Sequence, residues 1–325
     1  MIPTIDIAPL FQGPGAARDA ADAAILAAAE EIGFMTVTGL PGDPLAPANR
    51  RRLLALFALS DAQKRSLCRR SFVAENPNLY RGWFPLQDGH PTYKEGIDIG
   101  PDLVRPLAQD PNDPLTEPTP LPAAADLPGW RDAAAAYYRA MEATGAALMQ
   151  ALARGLGLSE TAFDAAFRNG ISTLRFIRYP VRDGAALDPA LRVGGGYMLG
   201  APHVDSGFAT LLAQDGVPGL EVEDRAGTWI GVPPTEGTLV VNFGKLLERW
   251  TGGRVRATRH RVVGTGAERF SIPFFYEPAV DAVIAPLGLG ESFAPVAYGD
   301  HLWEATTKFI EQRGIAHLRK PRAAQ

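Results

Sequence analysis

Pro202-His203-Val204-Asp205-Ser206-Gly207-Phe208-Ala209-Thr210-Leu211-Leu212-Ala213-Gln214-Asp215 is the stretch from which the fold can be read. Its second half, Ala209–Gln214, is a short apolar run between turn residues, as a buried strand requires. Similar runs lie on both sides of it: Leu174–Tyr179, Gly219–Glu223, Thr228–Val232, Thr238–Phe243, Val255–Val263 and Phe270–Tyr276, separated by Gly, Pro and Asp. Many short strands with frequent turn signals predict a sandwich or barrel beyond Ser172.

The first half of the stretch carries chemistry. In an extended strand, residues two apart share a face, so His203 and Asp205 can reach one ion. A third ligand is then needed, and the other histidines are His90, His260, His301 and His317. Of these, His260 alone falls in a β pattern of the same region. Two histidines and a carboxylate on one face of a metal leave positions for a co-substrate and O2, the arrangement of non-haem Fe(II) oxygenases. The plain alternatives are a turn or surface pair for His203 and Asp205, and a partly exposed strand residue among arginines for His260. Nine residues on, Arg269 and Ser271 share a strand face. A guanidinium beside a hydroxyl can hold the distal carboxylate of a dicarboxylic co-substrate. A surface arginine paired with Glu268 or Glu277 is the other reading.

Toward the N-terminus the pattern becomes helical. Ile2–Ile7 reads as an opening strand, 18–32 as an Ala-rich helix ended by Gly33, Phe34–Thr38 as a strand, and 48–69 as one helix. From 72 to 128 the chain is Pro-rich and irregular, and a loop of that length is expected to be functional or disordered. Residues 130–156 restore a long helical period, a short helix capped by Ser159 follows, and Tyr298–Arg313 closes the chain as a helix. The expected organisation is a helical and mixed support region over 1–170, packed on a β core over 171–325. With 325 residues, 46% hydrophobic and 21% charged, the chain can bury a real core. A net charge of -4 argues against a nucleic-acid surface. The absence of a long apolar run argues against a membrane span. One cysteine, Cys68, rules out an internal disulfide and favours a reducing compartment, so the expected location is cytoplasmic. A monomer is the default.

The 202–215 stretch with Gly219-Leu220-Glu221-Val222, Val241-Asn242-Phe243-Gly244, Thr258-Arg259-His260-Arg261-Val262 and Arg269-Phe270-Ser271-Ile272-Pro273-Phe274-Phe275 resembles the isopenicillin N synthase-like superfamily of 2-oxoglutarate/Fe(II) oxygenases. Ile2-Pro3-Thr4-Ile5-Asp6, Glu31-Ile32-Gly33-Phe34, the segment 76–83 and the segment 94–100 are similar to its N-terminal region, so the likeness covers most of the chain. It implies an α+β fold with a mainly β core, a double-stranded β-helix (jelly roll) flanked by helices. It also implies an Fe(II) centre on His203, Asp205 and His260, with 2-oxoglutarate held by Arg269 and Ser271 and O2 as oxidant. The implied outcome is oxidation of a small organic molecule, hydroxylation being commonest, with release of succinate and CO2. Tyr179 stands where the family places a tyrosine beside the co-substrate carboxylate, or is a core aromatic. Lys245 replaces an Asp common in relatives, and Ile177 replaces an Asn. Arg81, Trp83, Phe208 and Phe275 are candidates for the substrate pocket, and an arginine there would suit an acidic molecule. Two rivals are an Fe(II) oxidase of the isopenicillin N synthase type that dispenses with 2-oxoglutarate, and a silent jelly-roll binding protein.

Overall fold

The computed structural model describes residues 2–87, 91–182, 188–312 and 314–322. Its strands in chain order are β1 (Thr4–Asp6), β2 (Phe34–Thr38), β3 (Gly82–Phe84), β4 (Glu95–Ile99), β5 (Thr173–Tyr179), β6 (Arg192–Val193), β7 (Gly196–His203), β8 (Ala209–Gln214), β9 (Leu220–Glu223), β10 (Trp229–Gly231), β11 (Leu239–Phe243), β12 (His260–Gly264), β13 (Arg269–Tyr276), β14 (Val283–Ile284) and β15 (Val296–Ala297). The helices are α1 (Ala16–Glu31), α2 (Pro47–Leu54), α3 (Asp61–Ser66), α4 (Trp130–Gly155), α5 (Asp164–Phe167), α6 (Lys245–Trp250) and α7 (Tyr298–Thr306). An eight-stranded sheet runs β1-β2-β11-β8-β13-β5-β4-β3, and a five-stranded sheet runs β10-β9-β12-β7-β6.

The two sheets face each other as the two halves of a jelly roll. Alternation along each strand sends one set of side chains between the sheets and the other outward. Ile177 and Tyr179 of β5 therefore pack against Tyr197 and Leu199 of β7 and Val262 of β12. The opposite face of β5, β8 and β13, with Leu174, Phe176, Leu211, Ala213, Ile272 and Phe274, is apolar and buried against the helical layer. The 26-residue α4 supplies most of that layer, burying Tyr138, Met141, Leu148 and Leu152 along one face. No helix among the described residues is long and apolar enough to cross a membrane.

The structure departs from expectation in several elements. Residues before 170 contribute β1 and β2 at one edge of the large sheet and β3 and β4 at the other. The Pro-rich segment is therefore not featureless: β4 is fully buried and pairs with β5. The helix expected over 48–69 is broken into α2, a 3-10 turn and α3, because Ser60 starts a new helix with a capping box to Gln63. Ser159 accepts a hydrogen bond from the Thr161 amide at 3.4 Å in a turn, and α5 begins only at Asp164. β7 lacks an alternating pattern and was not anticipated. The final helix stops at Thr306, followed by a 3-10 turn over Ile310–Gln312. Arg313, its expected end, and His90 lie outside the described residues.

Candidate active site

His203 is the last residue of β7 and His260 the first of β12, and the register sets them directly opposite each other. Cross-strand neighbours in an antiparallel pair stand about 5 Å apart at Cβ, so two imidazoles separated by 57 positions in sequence meet without special folding. Their ring centroids are 4.3 Å apart. Asp205 does not share the strand as the two-residue spacing suggested, since it lies just past the end of β7 in the loop leading to β8. That loop is held by the start of α6, where the amide of Lys245 donates to Asp205 O at 2.8 Å and that of Gly244 to Phe208 O at 2.7 Å. Position 244 must be glycine, because a Cβ there would stand 2.4 Å from the Gly207 carbonyl oxygen. Asp205 Oδ1 then lies 3.6 Å from His203 Nε2 and 3.7 Å from His260 Nε2. One donor atom from each residue falls within 4.8 Å of the others.

The remaining atoms of these side chains are already engaged. His203 Nδ1 donates to Ala201 O at 2.8 Å, and His260 Nδ1 to Thr258 O at 3.1 Å, leaving both Nε2 lone pairs free to bind a metal. Asp205 Oδ2 accepts from Thr210 Oγ1 at 2.6 Å and from Asn242 Nδ2 at 2.7 Å. Burial opposes ionisation of Asp205, but the neighbouring His260 and His203 and the Thr210 hydroxyl hold it well below the usual carboxylate range. His260 is 8% exposed, not a partly exposed strand residue. Burial lowers its pKa, with Asp205 opposing, and so favours the neutral, ligating imidazole. Two imidazoles and one oxygen, each oriented from behind, suit an iron(II) ion.

Arg269, Ser271 and Tyr179 lie farther along the inner face of the large sheet. Arg269 opposes Tyr179 on β5, and Ser271 opposes Ile177 on β5 and Gln214 on β8. Arg269 is 1% exposed, which removes the surface-pair reading; Glu268 is paired instead with Arg178. Arg269 Nη2 donates to Gln214 Oε1 at 3.2 Å and its guanidinium carbon sits 5.1 Å from the centre of the Tyr179 ring. Nε and Nη1 are buried without a partner. Buried unpaired guanidinium nitrogens are costly, and a carboxylate that accepts from two of them removes the cost. The residues present thus fit a dicarboxylate as well as a metal.

A cavity of about 380 Å³ opens onto His203 and Asp205, with Phe208 and Phe275 in its wall. The other two pocket candidates are not in that wall. Trp83 is 1% exposed and packs against Phe57, while Arg81, fully buried, donates to Thr173 Oγ1 at 2.6 Å and Ile171 O at 2.9 Å. Lys245 forms an exposed pair with Glu248 at 2.6 Å, so its departure from the family pattern touches the surface alone. Sequence reasoning missed Thr210 and Asn242 as supports of Asp205, and Lys94, Glu277 and Glu311 as cavity residues. Only the strand register could have found the first two: Thr210 opposes Asn242 on the face that meets the metal loop.

Residues 173–278 match the 2OG-Fe(II) oxygenase superfamily, and residues 2–124 match the N-terminal region described as that of the non-haem dioxygenase in morphine synthesis. Isopenicillin N synthase of Streptomyces clavuligerus is 29% identical over 96% of this chain and 97% of its own. The 2-oxoglutarate-dependent dioxygenase citB of Monascus ruber is 31% identical over 94% of each chain. A full-length Neurospora crassa protein crystallised with alpha-KG and 5-formyluracil superposes with a TM-score of 0.79 at 25% identity, over 95% of this chain and 96% of that one.

Proposed function

Because the chain belongs to the 2OG-Fe(II) oxygenase superfamily and is a 2-oxoglutarate/Fe(II)-dependent dioxygenase of small molecules, we propose that His203, Asp205 and His260 hold its iron and that Arg269 and Ser271 hold the far carboxylate of 2-oxoglutarate. The observation that carries this assignment is the convergence of three oriented donor atoms within 4.8 Å at the wall of the cavity. The unpaired nitrogens of buried Arg269, on the same inner face, support the second half. In the same reading residues 171–325 are the catalytic core, since every proposed ligand and anchor lies there, and residues 1–170 are its support. Hydroxylation in the cytoplasm is the proposed outcome and setting; the lone buried Cys68 suits a reducing compartment.

Iron held by His203, Asp205 and His260 would supply, with 2-oxoglutarate and O2, the oxidising power to break a C–H bond, the co-substrate being converted to succinate and CO2. The protein's share is placement. Thr210 and Asn242 keep Asp205 turned toward the metal position, and the Ala201 and Thr258 carbonyls do the same for the histidines. Tyr179 lies under the guanidinium of Arg269 and limits where its fork can point. Phe208 and Phe275 present an apolar surface that excludes water and keeps a carbon centre beside His203 and Asp205.

Titration of 2-oxoglutarate into the anaerobic Fe(II)-loaded protein should raise a saturable visible charge-transfer band. The band should vanish in His203→Ala and need roughly tenfold or more 2-oxoglutarate in Arg269→Ala. Likeness to isopenicillin N synthase over nearly the whole chain supports a second reading, an oxidase with the same iron site. Iron bound by the wild type with no band at any 2-oxoglutarate concentration would favour the oxidase.

A further inference from the structure

Among the described residues, three carboxylates line the cavity. Asp205 belongs to the metal group, and Glu311 is paired with Lys94 at 2.9 Å. Glu277, just past the end of β13 and 7% exposed, has no lysine or arginine nitrogen within 4.0 Å among the described residues. Among the described residues, each lysine and arginine lining the cavity has an acidic partner: Lys94 with Glu311 at 2.9 Å, Arg175 with Asp98 at 2.5 Å and, in an exposed pair, Lys308 with Glu304 at 2.9 Å. Arg81, the cation that sequence reading offered to an acidic substrate, is spent on Thr173 and Ile171. A substrate carboxylate would therefore meet, among the described residues, only cations already engaged by acids, and would face Glu277.

Glu277 is held in place from one side. Arg81 Nη1 donates to Thr173 Oγ1 at 2.6 Å, so the Thr173 proton is directed to Glu277 Oε2 at 3.0 Å. On the same protein side the buried phenol of Tyr298 lies against the Glu277 carboxyl and, as a hydrogen-bond donor, favours its charged form. The other ionisable groups facing it include Arg81, Asp98, Tyr80 and Tyr138. Arg81 reaches this buried carboxylate only through Thr173, so its charge is incompletely matched, and a cation arriving with a ligand would relieve the cost of burying it. The position suits a substrate contact. Phe275 opposes Thr210, which bonds Asp205, and Glu277 lies two residues beyond, ~7 Å along the strand direction.

We propose that Glu277 is a specificity residue that pairs with a protonated nitrogen on the primary substrate, so that the enzyme oxidises a small amine with an apolar body rather than an acid. This rests on the reading of the cavity as the substrate pocket of a 2-oxoglutarate/Fe(II) oxygenase.

Three probes that share a phenylethyl body test it: 2-phenylethylamine, 2-phenylethanol and 3-phenylpropionate. Their affinities are measured by calorimetry on the anaerobic protein loaded with Fe(II) and 2-oxoglutarate, and again on metal-free protein. The amine should bind wild type at least tenfold tighter than the alcohol, with the acid weakest. Glu277→Gln should abolish that preference while leaving the 2-oxoglutarate charge-transfer band intact, and Glu277→Asp, which keeps the charge, should retain it. Lack of amine preference in wild type, whether from equal binding or none, overturns the proposal. So does a preference that survives in Glu277→Gln. A missing charge-transfer band in wild type, with amine preference intact in the metal-free protein, sinks the co-substrate assignment instead and leaves Glu277 in its role.

Discussion

Asp205 divides its two oxygens between the proposed metal position and the protein. Oδ1 faces the two Nε2 atoms, and Oδ2 is occupied by Thr210 and Asn242. Supports of this kind tune metal affinity by about 10–100-fold, so Asn242→Ala should weaken Fe(II) binding by roughly that factor in a competitive chelator titration. Unchanged affinity would mean that Thr210 alone orients the carboxylate. At Glu277, burial raises the pKa to about 7, against the opposing influence of Arg81 and Thr173. An unfolded Glu titrates near 4.3, so the folded state binds the extra proton between these values. The contribution favours the folded chain at low pH and is lost as pH rises through about 7. Glu277→Gln should therefore gain on wild type by roughly 2–3 kcal/mol between about pH 5 and about pH 8, read from urea unfolding at both values. A constant difference would refute the shift. Neither residue role was legible beforehand: Asn242 was visible only inside a motif, and Glu277 only as a possible surface partner for Arg269.

Strands and helices were legible where local chemistry decided them. β2 and β8 match their expected bounds, and α4 spans nearly the residues its period predicted. β4 was not legible, because Glu95-Gly96-Ile97-Asp98-Ile99 reads as polar and broken yet is buried throughout. Its burial is made possible by charges arriving from elsewhere. Asp98, 2% exposed, accepts from Arg175 Nε at 2.5 Å and Nη2 at 2.8 Å on β5, and is paired with Arg69 beyond α3. Removing one member of a buried pair strands the others, so Asp98→Ala should cost about 3–5 kcal/mol in denaturant unfolding. A loss below about 1 kcal/mol would show that water reaches the two guanidinium groups.

At the scale of the whole molecule, the site exists only when both sheets are in place. The smaller sheet supplies His203 and His260, the larger one supplies Arg269 and Ser271, and the loop pinned by α6 supplies Asp205. A ligand that bridges both sheets and binds only the folded chain stabilises it by about 2.7 kcal/mol at a hundred times its Kd. Fe(II) with 2-oxoglutarate under anaerobic conditions should thus raise the melting temperature by several degrees more than either alone, and chelation should reverse it. Additive shifts would mean that metal and co-substrate do not share a site. The sequence by itself determined the β core and the flanking helices, and by resemblance the oxygenase family and the three residues that meet at the candidate metal position. The core and helices are written in local alternation and turn residues, and the family in motifs shared with relatives, none of which needs knowledge of distant contacts. Only the tertiary structure decided that Arg81 and Trp83 lie outside the cavity lining, that β3 and β4 extend the large sheet, and that Glu277 faces the cavity with no directly paired cation among the described residues. Those outcomes depend on which buried charges find one another across long stretches of chain, and pairing in three dimensions leaves no periodic trace in one.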